Sequence, residues 1–93
     1  MFCTVRLELG LPFASSLKEK RQTLRSVKDR LRRKNVSVVE SDNHDRWQRA
    51  TVEFALAAIS RSAAEEKREE IRRTLLNYEE LAILEWHEEF VKL

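Results

Sequence analysis

Residues 2–34 read FCTVRLELGLPFASSLKEKRQTLRSVKDRLRRK, and the spacing of their apolar positions changes once. Cys3, Val5, Leu7 and Leu9 alternate with Thr4, Arg6 and Glu8. A period of two with one apolar face predicts a half-buried strand over residues 2–9. Gly10 and Pro12, the only glycine and proline in the chain, punctuate its end. Ser16 followed by Glu19 has the pattern of a capping box, in which hydroxyl and carboxylate each satisfy an orphan N–H of a helix start. A helix is expected from about Leu17 to Lys34. At about 100° per residue, Leu17, Leu24, Val27 and Leu31 fall within about 80° of one another, a narrow core stripe. Asn35 can end the helix because Asn tolerates the left-handed conformation.

Working outward, Val36, Val38 and Val39 predict a short strand over residues 36–40, and the polar run Ser41 to Asp45 a loop. A longer strand is expected from Trp47 to Ile59. Ala50, Val52, Phe54, Leu56 and Ala58 lie on its apolar face, and Arg49, Thr51 and Glu53 on the other. Ser62 and Glu65 repeat the capping pattern, and a second helix over residues 63–77 places Ala64, Ile71, Leu75 and Tyr78 at helical spacing. Glu69 and Arg73 stand in the favourable i,i+4 order. Leu84, Trp86 and Phe90 alternate with Glu85, His87 and Glu89, which predicts a last strand over residues 81–91. The element order is strand, helix, strand, strand, helix, strand. Two interlocked strand–helix–strand units make an α+β, ferredoxin-like sandwich, a four-stranded antiparallel sheet with two helices on one face. Right-handed crossovers put the first and third strands in the centre and leave the other sheet face open.

The 93 residues make one domain, spanning 1–93, rather than two. Apolar residues at 42% are enough for one core. The single cysteine, Cys3, excludes an internal disulfide and fits a reducing cytoplasm. No apolar run approaches the ~20 residues of a membrane span, and no basic leader precedes an apolar core. A cytoplasmic protein with no membrane association is therefore expected.

The net charge of +2 hides a division. Residues 16–34 hold nine Lys or Arg against Glu19 and Asp29, whereas residues 79–93 hold five Glu against Lys92. On the first helix Lys18, Arg21, Arg25, Lys28 and Arg32 share one flank about 80° wide. Such a stripe can track the phosphates of a nucleic acid. It can equally be a solvated face whose cations pair with the domain's own glutamates. Lys20 falls inside the apolar stripe, between Leu17 and Val27. The ordinary outcome is a boundary lysine with a buried stem; otherwise it must meet a carboxylate, with Glu40, Asp42 and Asp45 as candidates.

Other chemistry finds little to work with. Asp42, Asn43, His44 and Asp45 carry ligand atoms, but no second His or Cys stands at a metal-ligand spacing, so a turn rich in Asx hydrogen bonds is expected and no metal or cofactor. Cys3, on a core-facing strand position, is expected to be inert. No Gly-rich phosphate loop, nucleophile elbow or metalloprotease pattern occurs. The third strand lacks the glycine and aromatic pair of an RNA-recognition domain. Trp47 could reach the open face or the rim, but a lone Trp usually packs. Gly10 to Ser15 contains no Arg, which an acylphosphatase-like anion loop would need. No catalytic constellation is visible, and a non-enzymatic domain is expected.

Ser16-Leu17-Lys18-Glu19-Lys20-Arg21, continuing through Leu24 and Arg30-Leu31, and then Asn35-Val36-Ser37-Val38, Glu40, His44-Asp45 and Trp47-Gln48-Arg49-Ala50, resemble the bacterial YlxP-like family of unknown function. The resemblance is close over the first two-thirds of the chain and rests on element order beyond Ile59. It implies a ferredoxin-like fold and no established activity. It also implies a role near the ribosome or RNA, since genes of this family often neighbour those of translation initiation factor two and ribosome-binding factor A. It places Lys18, Lys20, Arg21, Asp45, Gln48 and Arg49 among the family's polar signature positions.

Two functions are expected. One is an RNA- or ribosome-associated domain binding phosphates through Lys18, Arg21, Arg25, Lys28 and Arg32, with Arg49 adding to them. The other is a homodimeric interaction module using the open sheet face or an edge strand, with Arg6, Glu8, Arg49, Glu53 and Glu85 in complementary rows. A small-ligand site would need a pocket joining Lys20, Asp45 and Gln48.

Overall fold

A computed structural model describes residues 1–92. The elements are β1 (Phe2–Gly10), α1 (Leu17–Arg33), β2 (Ser37–Asp42), β3 (Arg49–Ala57), α2 (Arg61–Leu76) and β4 (Ala82–Val91). They form one antiparallel sheet in the order β2-β3-β1-β4, so β1 and β3 are central as the crossover rule requires. The fold is a ferredoxin-like α+β sandwich.

The apolar face of β1 (Cys3, Val5, Leu7, Leu9) pairs in register with Leu56, Phe54, Val52 and Ala50 of β3. All eight are buried against the helices, with Leu24, Val27 and Leu31 of α1 and Ala64, Ile71 and Leu75 of α2. Phe54 meets Trp86 edge-on, ring centroids 5.8 Å apart. Burial, followed by the nearby Glu88 carboxylate, pushes the Cys3 thiol above its ordinary pKa, which suits an inert core cysteine.

The helix ends follow local chemistry, and in two places they differ from the capping pattern of the sequence. Ser16 Oγ accepts from the Glu19 N–H at 3.1 Å. The Glu19 carboxylate, however, turns back one residue further, accepting from the Ser15 N–H at 2.9 Å and its hydroxyl at 2.8 Å. These bonds hold its carboxyl below the usual range. Asn35 ends α1 at φ 62°. The second helix begins at Arg61 rather than Ala63, because Ser60, not Ser62, is the cap: its Oγ accepts from the Ala63 N–H at 3.1 Å. The earlier start gives the Ala64 N–H a backbone partner, Ser60 O at 3.0 Å. Glu65 then pairs with Arg61 at 3.0 Å instead of reaching back to a cap. Glu69 lies 3.7 Å from Arg68 and forms no ion pair with Arg73 among the described residues; Arg68 is itself held half-buried by Glu88 and the Phe90 ring.

The strand departures lie at ends, and β3 stops at Ala57, leaving Ala58 and the fully exposed Ile59 outside the strand expected to reach Ile59. Trp47 and Gln48 precede β3 and belong to the β2–β3 loop, and β2 runs on to Asp42. In β4 the register with β1 shifts between Glu8 and Leu9. That bulge gives the core-packed position to Ile83 and leaves Leu84 half exposed. Leu84 lies over Gly10, where an added Cβ would meet its Cδ1 at 3.4 Å.

Candidate nucleic-acid interface

The core stripe of α1 fixes where its cations point. With Leu24, Val27 and Leu31 buried, the flank carrying Lys18, Arg21, Arg25, Lys28 and Arg32 is turned outward, and only Lys28 is half-buried. From Lys18 to Arg32 the ridge rises about 21 Å at about 1.5 Å per residue. Arg21, Arg25, Lys28 and Arg32 line one groove of about 510 Å³ between the helix and β2, with Leu24, Asp29 and Glu40 completing its wall.

The ridge keeps most of its charge. Arg32 lies 3.8 Å from Asp29, an i,i+3 pair with both side chains more than half exposed, where attraction is weak. Among the described residues the side chains of Lys18, Arg21, Arg25 and Lys28 form no ion pair and no hydrogen bond. Lys34 and Arg30 turn elsewhere. Lys34 Nζ lies 2.6 Å from Glu70, and Arg30 stacks 5.5 Å from the Tyr78 ring. The Lys34 ammonium holds the Glu70 carboxyl below the usual range.

Lys20 explains why Glu40 does not quench the groove. Its side chain is 1% exposed, and its Nζ lies 3.0 Å from Glu40 Oε2. The ammonium also donates to the Asn43 carbonyl at 2.6 Å. The lysine is thus a buried cation paired with a carboxylate, not a boundary residue with a free head. The Glu40 carboxylate that borders the ridge is already engaged from below.

The same bond fastens the β2–β3 loop. Asn43 sits at φ 63° and its Nδ2 donates to Thr51 Oγ1 at 2.8 Å. Thr51 donates to Glu8 Oε2 at 2.8 Å. Arg49 and Arg6 approach Glu8 at 3.8 and 3.9 Å. The His44 ring bonds the Glu40 carbonyl at 2.9 Å, and Asp42 accepts from the Asn43 N–H at 2.7 Å. Asp42, Asn43 and His44 therefore build a turn, and among the described residues no group of three His, Cys, Asp or Glu is placed to hold a metal ion. No helix is long and apolar enough to cross a membrane among the described residues.

The structure brings Arg21, Arg25, Lys28 and Arg32 together, with Lys18 one turn before them. It sets Arg49 apart, on the open sheet face beside Glu8. It also separates Lys20, Asp45 and Gln48: Lys20 is buried toward Glu40, Gln48 Nε2 is turned to the carbonyls of Pro12 and Ala14 (3.4 and 3.3 Å), and Asp45 is exposed. The residue that sequence reasoning undervalued is Trp47. It does not pack; it is 53% exposed, in a depression of about 420 Å³ lined by Arg46, Trp47, Gln48 and Arg49. The available signal was its company, one aromatic among Arg46, Gln48 and Arg49.

The family model described as a protein of unknown function, DUF503, matches residues 2–88. The match runs beyond Ile59 into β4 and takes in Trp86. No curated protein matches the chain.

Proposed function

The chain belongs to the DUF503 family, for which no activity is described, and from that footing we propose that it is a non-enzymatic RNA-associated domain that grips phosphates with α1. One observation carries the reading: Lys18, Arg21, Arg25 and Lys28 stand on one flank, unpaired among the described residues, with the nearest β2 carboxylate engaged by Lys20. A row of cations left unneutralised in a chain so rich in glutamate is ready for an external polyanion. The fold is compatible with such a role but does not argue for it.

The test is a titration of a labelled ribosomal RNA fragment at several salt concentrations. Four phosphate contacts give a slope of log affinity against log salt of about −3 to −3.6, so affinity falls about 50- to 150-fold between 50 and 200 mM salt. Absent binding, or binding that ignores salt, refutes the proposal.

A second reading, a homodimer through the open sheet face, has one observation in its favour. Arg6 and Glu53 are cross-strand partners on that face, yet Glu53 forms no ion pair among the described residues and Arg6 leans to Glu8 instead. A two-fold partner could supply the missing pairing. Sedimentation at micromolar concentration decides it, and a monomer rejects it.

A further inference from the structure

We propose that Trp47 is a stacking platform for an unpaired nucleobase, which makes the RNA held by this domain single-stranded where it passes the amino-terminal end of α1. The proposal rests on the phosphate-binding reading of the ridge and adds to it the kind of strand.

The two tryptophans of the chain are used differently. Trp86 has Phe54 edge-on at 5.8 Å, Arg72 over its ring at 5.6 Å, and its indole N–H donating to Glu88 at 2.7 Å. Trp47 has none of these among the described residues: no aromatic partner, no cation over the ring, no hydrogen bond from the indole, and half its surface open. Arg46 and Arg49 border the same depression without stacking on the ring. A large π-face is therefore free, with Arg46 beside it to meet a phosphate next to a stacked base, while the Arg49 guanidinium leans to Glu8 at 3.8 Å.

The loop is held still while the ring is left alone. On one side the Asn43 carbonyl accepts from Lys20 Nζ at 2.6 Å and from the Arg46 N–H at 3.1 Å. On the other, Gln48 O accepts from the Leu11 N–H at 3.0 Å, and Gln48 Nε2 reaches the carbonyls of Pro12 and Ala14. These bonds join the loop to the segment that leads into α1 and to α1's first turn, so Trp47 lies at the same end of the molecule as Lys18. A platform already fixed in place loses little freedom when a base settles on it. Stacking needs a base that has left its pair, which excludes an intact duplex at this point.

The probes are a single-stranded oligoadenylate and a duplex RNA of equal length, with tryptophan fluorescence as the readout and Trp47→Phe separating the Trp47 signal from Trp86. The single strand should quench Trp47 emission. Trp47→Ala should lower single-strand affinity by about 5- to 100-fold. It should leave the salt slope and the duplex affinity unchanged, and Trp47→Phe should lose less than about 3-fold. Equal losses for single strand and duplex, or single-strand binding by Trp47→Ala at parental affinity, overturn the stacking proposal while the ridge reading survives. If the parent chain binds neither probe, both fall. If Trp47 is silent to RNA but its emission shifts with protein concentration, the ring belongs to a contact between copies and stacking is rejected.

Discussion

Replacing Lys20 with Met keeps a long flexible stem in the core and removes only the cation. Glu40 is then left with Oε2 facing the helix and no partner, and the Asn43 carbonyl loses its 2.6 Å bond. Breaking a buried ion pair from one side typically costs about 3–5 kcal/mol. Glu40 keeps 15% side-chain exposure, so it can relax toward water, and a loss of about 2–4 kcal/mol is expected. For a domain whose total stability is on the order of 5–10 kcal/mol, that is a large fraction. It lowers Tm by roughly 10–30 °C at about 4–8 °C per kcal/mol. Urea unfolding followed by circular dichroism measures it: the midpoint should fall with m unchanged. Lys20→Met combined with Glu40→Leu removes the orphaned charge, and apolar replacement of a buried pair is often neutral. The double variant should therefore regain most of the loss, with a coupling of about 2 kcal/mol or more. The reasoning is refuted if Lys20→Met costs under about 1 kcal/mol, or if the double variant simply adds the two single losses. RNA binding adds a second readout, because the freed Glu40 carboxylate in the Lys20→Met groove should weaken it, and Glu40→Leu should restore it.

Three further outcomes are expected. Ser60→Ala should lose about 1 kcal/mol as the true cap of α2, while Ser62→Ala stays within about 0.5 kcal/mol, by chemical denaturation; the reverse order would misplace the cap. The Glu70 carboxyl is lowered by Lys34, so the pair's stabilisation is complete above the unfolded carboxylate pKa and is lost as pH falls through the lower folded value. Lys34→Met should thus be less stable than the parent by about 0.2–1 kcal/mol at pH 7, Glu70 being half exposed. The gap should close in acid, and one that persists unchanged at pH 2 contradicts the assignment. Leu7→Ala, at a position 1% exposed in the centre of the sheet, should cost about 2–5 kcal/mol, and a loss under about 1 would contradict its place in the core.

How much of this was legible in the chain depends on the range of the forces involved. The alternation of β1 and the stripe of α1 declare their buried faces locally, and two such units leave few topologies. Lys20 was legible as an anomaly of the stripe. Its partner was not, because Glu40 is brought there by the strand returning beside the helix. The β4 bulge was invisible: the alternation from Leu84 to Phe90 runs on unbroken, and the shift is set by register against Glu8 and Leu9. Ser60 and Ser62 offer the same hydroxyl, and the choice falls to the one that gives the helix start more backbone partners. The ridge was legible as a pattern, but whether glutamates neutralised it is a tertiary question. In the sequence, Trp47 reads as the first residue of the strand that runs on to Ile59. The strand instead begins at Arg49, and the ring stays in the loop.

The central claim is that an unneutralised ridge on α1 meets phosphates. The most direct measurement compares the salt dependence of RNA binding for the parent chain and for Arg21→Glu/Arg25→Glu, both shown to fold by circular dichroism. The account predicts a slope of about −3 for the parent, reduced to about −1.5 or less in the variant with affinity at least tenfold weaker at low salt. Equal slopes and equal affinities for the two proteins would contradict it.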